Sequence, residues 1–218
     1  MIKYEVLEYI RPDGKCPFAD WFKSLTANSA IKVVRALHKM RNGNFSTTKF
    51  LGDGVWEFKI DSGPGYRIYY GKVGKNIILL LTGGTKKRQN KDIELAVELL
   101  REYKKKHCIR EKTMALTRDF RESIQARALK DPVFRVGLLE ESINEFLAGD
   151  LYTAKALLRD YINASITFEA LAKKTKISDK SLHRMFSDKG NPTTSNFCVV
   201  LQAIQQIEGV NIGAKIRH

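Results

Sequence analysis

The amino-acid sequence predicts an α+β domain followed by an all-α domain of similar size. Period-two alternation of apolar residues, which is typical of β-strands, is confined to the first half, whereas helical spacing is the pattern of the second half. A basic stretch, KKKHCIREKTMALTRDF (residues 104–120), lies between them. We therefore predict one domain over residues 1–105, a junction at 106–113 and a second domain over residues 114–218.

The predicted order of the first half is one strand, two helices, three strands and a closing helix. The turns between the three later strands, SGPG (62–65) and KVGKN (72–76), are short, and short turns favour antiparallel neighbours. We therefore expect a small antiparallel sheet with helices packed on it. The predicted strands are 3–9, 55–60, 66–73 and 77–82, and the predicted helices are 17–25, 29–41 and 92–105.

The second half shows helical patterns, and capping residues mark where helices begin. Asp131, followed by Pro132 at the first helical position, predicts a helix that stops at Gly149, and Asp150 predicts the start of the next. Residues 118–128 are also predicted to be helical, and three further short helices complete the domain.

Charge is the most informative feature of the composition. The net charge is +14 over 218 residues. Residues 1–108 hold 21 Lys and Arg against 11 Asp and Glu, and the remainder hold 17 against 13. Such a surplus favours polyanionic partners. We expect both halves to meet nucleic acid, the first more strongly; the alternative is a basic surface that is merely solvated.

Several classes of protein are disfavoured by the composition. The sequence has no run of about 18 apolar residues and no apolar signal-peptide core, so we expect no membrane segment and a cytoplasmic location. The three cysteines, Cys16, Cys108 and Cys198, are far apart and are expected to be free thiols. No metal-ligand spacing and no cofactor motif is present, so neither a metal nor a cofactor is expected.

The stretch LAKKTKISDKSLHRMFS (171–187) has the pattern of a helix-turn-helix, which we place at about residues 167–187. Ala172 supplies the small residue where two helices cross, Ile177 the apolar residue after the turn, and Leu182 and Met185 the anchors of the second helix. Lys176 stands at the turn position that glycine often fills. The alternative is a helical hairpin with no role in DNA binding.

If the second helix lies in a major groove of DNA, its exposed polar side chains would contact the base edges. Ser178 is predicted to cap this helix. The helix that follows GNP (190–192) could hold a phosphate at its N-terminus. The predicted DNA-binding residues are Ser178, Lys180, Ser181, His183, Arg184, Thr193 and Asn196.

Residues 168–207, with GNPT after the second helix, resemble the Xre-type helix-turn-helix of HigA-family antitoxins, and the resemblance extends over residues 114–213. It implies a protein that neutralises a partner toxin and represses its own operon by binding operator DNA. Because palindromic operators accompany two-fold repressors, a homo-oligomer is expected.

The first half carries a ring of cations on the predicted sheet and its edges, and no carboxylate pair, Ser/His/Asp set or phosphate loop stands out. His38 lies on an amphipathic helix and is expected to be structural. Arg suits phosphate oxygens, and a lysine crowded by other cations has a lowered pKa that suits proton transfer. The alternative is a solvated face. The cations are Lys59, Arg67, Lys86, Lys87, Arg88 and Lys91.

The strings GDGVWEFKIDSGPGYRIYY (52–70) and LLLTGGTKKRQNKDIELA (79–96) resemble the HigB/RelE-superfamily toxins of the phage Gp49-like group, over about residues 2–103. The resemblance implies ribosome-associated cleavage of mRNA. Arg67 would then contact the phosphate in the transition state, with Lys59 and Lys87 as candidates for proton transfer. Lys86, Arg88 and Lys91 would bind RNA. Ile93 stands about where several relatives have a tyrosine.

The order of the two resemblances, toxin and then antitoxin, predicts a fusion with Met114 at the start of the second coding unit; the alternative is an ordinary basic linker. Residues 131–150 hold five carboxylates against one arginine. Glu141 and Glu145, four residues apart, would lie on one face of a helix and neutralise the basic toxin, either within one chain or between chains.

Two other interpretations remain open. The chain could be a non-catalytic DNA-binding repressor that carries a degenerate toxin domain, or a general RNA-binding adaptor. Activity of the first half distinguishes the fusion from the repressor, and sequence-specific DNA binding argues against the adaptor.

Overall fold

The computed structural model describes residues 3–61, 63–107 and 117–213. The chain divides into two compact units, residues 1–137 (the first unit) and residues 138–218 (the second unit). Cys108 and most of the predicted junction, with Met114, lie outside the described residues, so the predicted domain boundaries stay predictions.

The first unit is built on a six-stranded sheet with the strand order β2-β3-β4-β5-β1-β6. A single 3₁₀ turn at Lys86–Arg88 joins β5 to α3. The strands are β1 (Glu5–Tyr9), β2 (Thr48–Gly52), β3 (Val55–Ile60), β4 (Tyr66–Val73), β5 (Ile77–Thr85) and β6 (Thr117–Asp119). The helices are α1 (Pro17–Ser24), α2 (Ala27–Arg41), α3 (Gln89–His107), α4 (Phe120–Ala128) and α5 (Pro132–Leu147), which begins in this unit.

The sheet is mixed, and the expectation of an antiparallel sheet is wrong at one place. β3, β4 and β5 form the predicted antiparallel neighbours, and the unpredicted β2 pairs antiparallel with β3. β1, however, pairs in parallel with β5, in the register Val6↔Ile78. The long connection through α1 and α2 makes this possible, because only tight turns force neighbouring strands to be antiparallel.

Two strands escaped the sequence pattern. β2 lies at the open edge of the sheet, and its Phe50 is 52% exposed, so no apolar alternation marks it. β6 is three residues long, too short for any period to be visible. The prediction that residues 118–128 are wholly helical is therefore corrected: α4 begins at Phe120, and the Asp119 side chain caps it by accepting a hydrogen bond from the Arg121 amide.

The helices cover both faces of the sheet. Because successive strand residues face opposite sides, the neighbouring Gly83 and Gly84 show the arrangement: Gly83 lies against Trp21 of α1 and Gly84 against Asp92 of α3. The core between the sheet and α3 consists of Tyr9, Val55, Tyr69, Leu79, Leu81, Ala96, Leu99, Leu100 and Tyr103.

Three expectations about single side chains are confirmed among the described residues. His38 is buried, with its ring centroid 5.5 Å from that of Phe120, as a structural histidine would be. Cys16 is a free thiol in this unit, and Cys198 is one in the second unit. Asp131 caps α5 as predicted, since its Oδ1 accepts a hydrogen bond from the Phe134 amide at 3.0 Å.

The second unit is helical, as predicted. Beside the end of α5 it contains α6 (Leu151–Ala164), α7 (Phe168–Thr175), α8 (Asp179–Met185) and α9 (Thr194–Glu208). Each of these four helices begins at a side-chain cap, because Asp150, Thr167, Ser178 and Thr193 accept hydrogen bonds from backbone amides of the first turn.

The chain after α8 is held by the ammonium group of Lys155. Its Nζ donates to the carbonyl oxygens of Ser187 at 3.1 Å, of Asp188 at 3.4 Å and of Gly190. A Cβ on Gly190 would lie 2.2 Å from the Arg184 and Met185 carbonyl oxygens. The glycine of the GNPT motif is therefore required by this close approach of two backbone segments.

The turn between α7 and α8 contains a backbone conformation that L-residues rarely adopt. Lys176 ends α7 with φ 59° and ψ 16°, in the left-handed region. Leu182 and Met185 are buried, which matches the two anchors proposed from the sequence, and Leu171 of α7 is buried as well. Two capped helices joined by this turn are observed, while their use as a helix-turn-helix stays a prediction. None of the described helices has the length and apolar character needed to cross a membrane.

The left-handed turn gives a stability prediction. A side chain in this region costs about 1 kcal/mol, so Lys176→Gly is expected to raise the free energy of unfolding by about 0.5–1 kcal/mol. Lys174→Gly, which changes an exposed lysine inside α7, should lower it by a similar amount. Urea denaturation of both variants measures the difference, and destabilisation by Lys176→Gly would contradict the turn geometry.

Candidate functional site

The sheet brings Arg67 and Lys59 together as predicted. Arg67 on β4 pairs directly with Lys59 on β3 and with Gly84 on β5. The guanidinium of Arg67, however, is turned inward and the residue is 5% exposed. Its Nε lies 3.2 Å from Oε2 of Glu57, and its Nη1 donates to the Gly65 carbonyl oxygen at 2.8 Å. Arg67 is therefore held by a buried carboxylate that the sequence interpretation did not use.

Glu57 is the centre of this polar cluster. It is 6% exposed, and Nε2 of Gln89 at the start of α3 donates to its Oε2 at 2.8 Å. Glu57 pairs across the sheet with Tyr69. Burial above all, followed by the negative charges of Glu57 and Asp92, raises the pKa of Tyr69 above its usual range. Tyr69 is fully buried, so its hydroxyl faces the interior of the first unit and not solvent.

Asp92 in the first turn of α3 adds a second carboxylate beside the sheet. A Cβ on Gly84 would lie 1.9 Å from its Oδ2, so only glycine admits it. This oxygen is buried and has no hydrogen-bond partner among the described residues. Burial raises the pKa of Asp92, and the positive charge of Arg88 opposes the shift. Asp92 is thus harder to ionise than a solvated aspartate.

The remaining cations of the predicted loop are exposed at the edge of this cluster. Lys86, Lys87, Arg88 and Lys91 line a surface depression of about 430 Å³ together with Gln89 and Asn90. The Lys86 amide donates to the Gly65 carbonyl oxygen at 3.2 Å, the same oxygen that Arg67 contacts. One backbone carbonyl therefore ties the basic loop to the buried arginine.

Lys59 is placed differently from the others. Its side chain is exposed at the end of β3, and its Nζ lies 2.6 Å from Oδ1 of Asp61. It borders a groove of about 420 Å³ between α2 and β3, which Lys32, Arg35 and Lys39 also line.

The predicted DNA-binding residues fall into two groups. Lys180, His183 and Arg184 are exposed on α8, and the His183 ring lies 4.1 Å from that of Phe168. The hydroxyl groups of Ser178 and Thr193 are engaged as helix caps, and they accept from the amides of Ser181 and Asn196 at 3.2 Å. Thr193 also lines a depression of about 520 Å³ in the second unit.

The two predicted neutralising carboxylates differ in exposure. Glu141 and Glu145 both lie on α5, but Glu145 is 2% exposed whereas Glu141 is only half-buried. Their role stays a prediction.

Four residues of the cluster were missed from the sequence: Glu57, Tyr69, Gln89 and Asp92. For Glu57 a signal was present. It shares the inward side of β3 with Val55, and a carboxylate at an inward position needs a cation, which Arg67 supplies from the inward side of β4. The contact of Asp92 with Gly84 depends on how α3 packs, and no pattern in the sequence reports it.

Comparison with known proteins shows that this cluster lies within a region that matches a known protein family. Residues 20–101 match the profile of the family described as phage derived protein Gp49-like. A protein of Haemophilus influenzae described as uncharacterized is 35% identical over 86 residues, which are 39% of this chain and 87% of that protein. No solved structure gives a significant match. The family match contains Glu57, Arg67 and the whole basic loop.

The buried ion pair predicts a cost for removing its arginine. Arg67→Met leaves the Glu57 carboxylate buried without its cation, so the free energy of unfolding should fall by about 3 kcal/mol. The double variant Glu57→Gln/Arg67→Met should lose less, because no uncompensated charge remains. Urea denaturation measures both. Lys75→Met, in the exposed turn between β4 and β5, is the control, and an equal effect of Arg67→Met and Lys75→Met would contradict the pairing.

The raised pKa of Asp92 predicts a pH dependence of stability. Below its ordinary value of 3.8 the carboxyl is protonated in both the folded and the unfolded chain. As the pH rises, the unfolded chain ionises first, so wild type should lose stability relative to Asp92→Asn until the folded pKa is passed. Arg88→Ala should enlarge this loss. Thermal unfolding between about pH 3.5 and 6.5 measures this loss of stability, with Asp20→Asn as an exposed control. Parallel curves of stability against pH for wild type and Asp92→Asn would contradict the prediction.

Proposed function

The chain belongs, through residues 20–101, to the family of phage-derived Gp49-like proteins in the RelE/HigB-like toxin superfamily, and from this premise we propose that it is a toxin–antitoxin fusion. The first unit would be a ribosome-associated mRNA endonuclease, and the helical region would neutralise it and repress its own operon. The observation that carries the proposal is the attachment of the basic loop to Arg67 through the Gly65 carbonyl oxygen.

In the proposed reaction the 2′-hydroxyl of the RNA attacks the adjacent phosphorus. The new 2′-O–P bond forms as the P–O5′ bond breaks, which leaves a 2′,3′-cyclic phosphate and a 5′-hydroxyl. A base must take the 2′-proton, and an acid must give a proton to the 5′-oxygen. Lys59 and Lys87 are the candidates for these two transfers.

The remaining cations would bind and stabilise the phosphate groups. Lys86, Arg88 and Lys91 surround a depression that suits a phosphodiester backbone. Arg67 would stabilise the charge that develops on phosphorus, provided that RNA draws it away from Glu57.

The helical region would supply the other two activities. The exposed Lys180, His183 and Arg184 on α8 would contact operator DNA, in a homo-oligomer whose symmetry matches the operator. Glu141 and Glu145 would contribute to neutralisation, within the chain or between chains. Contact with ribosomes would place the protein in the cytoplasm.

One observation favours a second function. Arg67 is nearly inaccessible and already paired with Glu57, as expected if the arginine now serves only to stabilise the sheet. The chain would then be a non-catalytic DNA-binding repressor that carries a degenerate toxin domain.

The test is RNA cleavage by residues 1–137 rather than by the predicted first domain, residues 1–105, because β6 and α4 pack on the sheet and belong to the first unit. This fragment, mixed with ribosomes and mRNA, is expected to cut the message, whereas the full chain should not. Lys87→Ala should slow cleavage at least about a hundredfold if this lysine transfers a proton. Lys75→Ala, at the opposite end of the β4–β5 hairpin, should leave the rate unchanged. A folded fragment that does not cut RNA would favour the repressor.

Operator recognition gives a separate prediction. Arg184→Ala should weaken binding to the DNA upstream of the gene by about 1–3 kcal/mol if the side chain pairs with a guanine edge. Binding to random DNA should change little. Lys189→Ala, which removes an exposed charge outside α8, should affect both DNAs alike. Fluorescence anisotropy at fixed salt measures the six affinities of wild type and the two variants for the two DNAs, and an equal loss on both DNAs with Arg184→Ala would contradict base recognition.

A further inference from the structure

The chain that follows the predicted junction attaches to the first unit at several independent points. We call residues 117–134 the docking segment. It contains β6, α4 and the first turn of α5, and all of it lies within the first unit.

The first point of attachment is a strand. β6 pairs antiparallel with β1 in the register Leu7↔Asp119, Glu8↔Arg118 and Tyr9↔Thr117. The other side of β1 is occupied by β5. An open strand edge is a template for pairing with another chain. Without the docking segment, β1 would therefore be such an edge.

The second point is an ion pair below that strand. Glu8 is 0% exposed, and its Oε2 accepts from Nε of Arg118 at 3.0 Å, from Nη2 of Arg118 at 2.6 Å and from the Ser123 hydroxyl at 2.9 Å. The Cys16 thiol lies 3.7 Å away. Both strong partners come from the docking segment, so its removal would leave a buried carboxylate without a cation.

The third point is the C-terminal end of α1. The Arg127 guanidinium donates to the carbonyl oxygens of Phe22 at 2.5 Å and Leu25 at 2.6 Å, at the end of the helix, and the Phe22 oxygen also accepts from the Leu25 amide. Its central carbon lies 5.3 Å from the Phe22 ring and 5.0 Å from the Phe134 ring. Cation–π contact therefore adds to the hydrogen bonds.

Apolar burial joins these polar contacts. Phe120 lies against His38 of α2, and Phe120, Ile124 and Ala128 are buried on one side of α4. The segment thus combines strand pairing, two arginine contacts and an apolar face, a combination typical of a specific peptide interface.

We propose that the β1 edge, with Glu8 and the end of α1, is a receptor for the docking segment, and that it holds this segment even when the chain between them is cut. The segment would be the N-terminal anchor of the antitoxin part. Only this last assignment rests on the proposed function; the docking itself does not. An open β1 edge would take the same segment from a second copy.

The receptor is separate from the candidate site. Tyr9 packs in the core under α3, so its neighbour Glu8 faces the α1 side of the sheet, whereas Glu57 and Arg67 share the α3 side with Tyr69. β5 also lies between β4 and β1. The docking segment therefore binds its receptor without covering the Arg67 cluster.

The experiment uses the full chain with a protease recognition sequence inserted between residues 111 and 112. After cleavage, the two wild-type parts are expected to elute together in gel filtration. Exchange of a labelled C-terminal part gives their Kd. Arg118→Gln should raise this Kd about a hundredfold or more, because it strands the Glu8 carboxylate. Arg127→Gln should raise it at least about tenfold. Lys130→Gln, an exposed charge of the same segment, should change it less than about twofold.

The uncut variants serve as the folding control, because in them the intact chain keeps the local concentration of the docking segment around its receptor high. The double variant Glu8→Gln/Arg118→Gln should recover part of the lost affinity, since no unpaired charge remains buried. Separation of the cut wild-type parts, or equal Kd values for Arg118→Gln and Lys130→Gln, would overturn the proposal. Neither readout involves RNA, so failure of docking and failure of the proposed cleavage are distinguishable.

Discussion

A buried carboxylate has to meet a cation, and this constraint organises both sides of the sheet. Glu57 on one face and Glu8 on the other are almost inaccessible to water, and each is paired with an arginine. The cost of leaving either carboxylate alone would be several kcal/mol, a large part of the stability of a small domain. The pair Glu57–Arg67 therefore ties β3 to β4, and the pair Glu8–Arg118 ties β1 to a segment more than a hundred residues away along the chain.

The same constraint creates a tension in the candidate site. An arginine that stabilises developing charge on a phosphate must be able to reach it, yet Arg67 also compensates a buried carboxylate. Such double use is a known source of conflict between stability and activity. RNA would have to replace Glu57 as the partner of Arg67, and the exposed loop at residues 86–91 provides the electrostatic attraction that would bring RNA to that position.

In the second unit, polar side chains satisfy the backbone groups at the helix ends. Each helix from α6 to α9 begins at a polar cap, and Lys155 satisfies the carbonyl groups that follow α8. The hydroxyl groups of Ser178 and Thr193 are occupied in this capping, so recognition of DNA would fall mainly on the long exposed side chains of α8. Capping and the proposed recognition would thus be divided between neighbouring residues.

The sequence by itself determined the features that depend on local pattern. These are the α+β and helical halves, the three central strands, the placement of Lys59 and Arg67 on neighbouring strands, the caps at Asp131 and Ser178, and the basic loop. Tertiary structure alone decided the rest, because strand order, parallel pairing and the partners of Glu8 and Asp92 depend on contacts between distant segments. A three-residue strand such as β6 has no period of its own; it is a strand only because β1 offers an edge and Glu8 requires a cation.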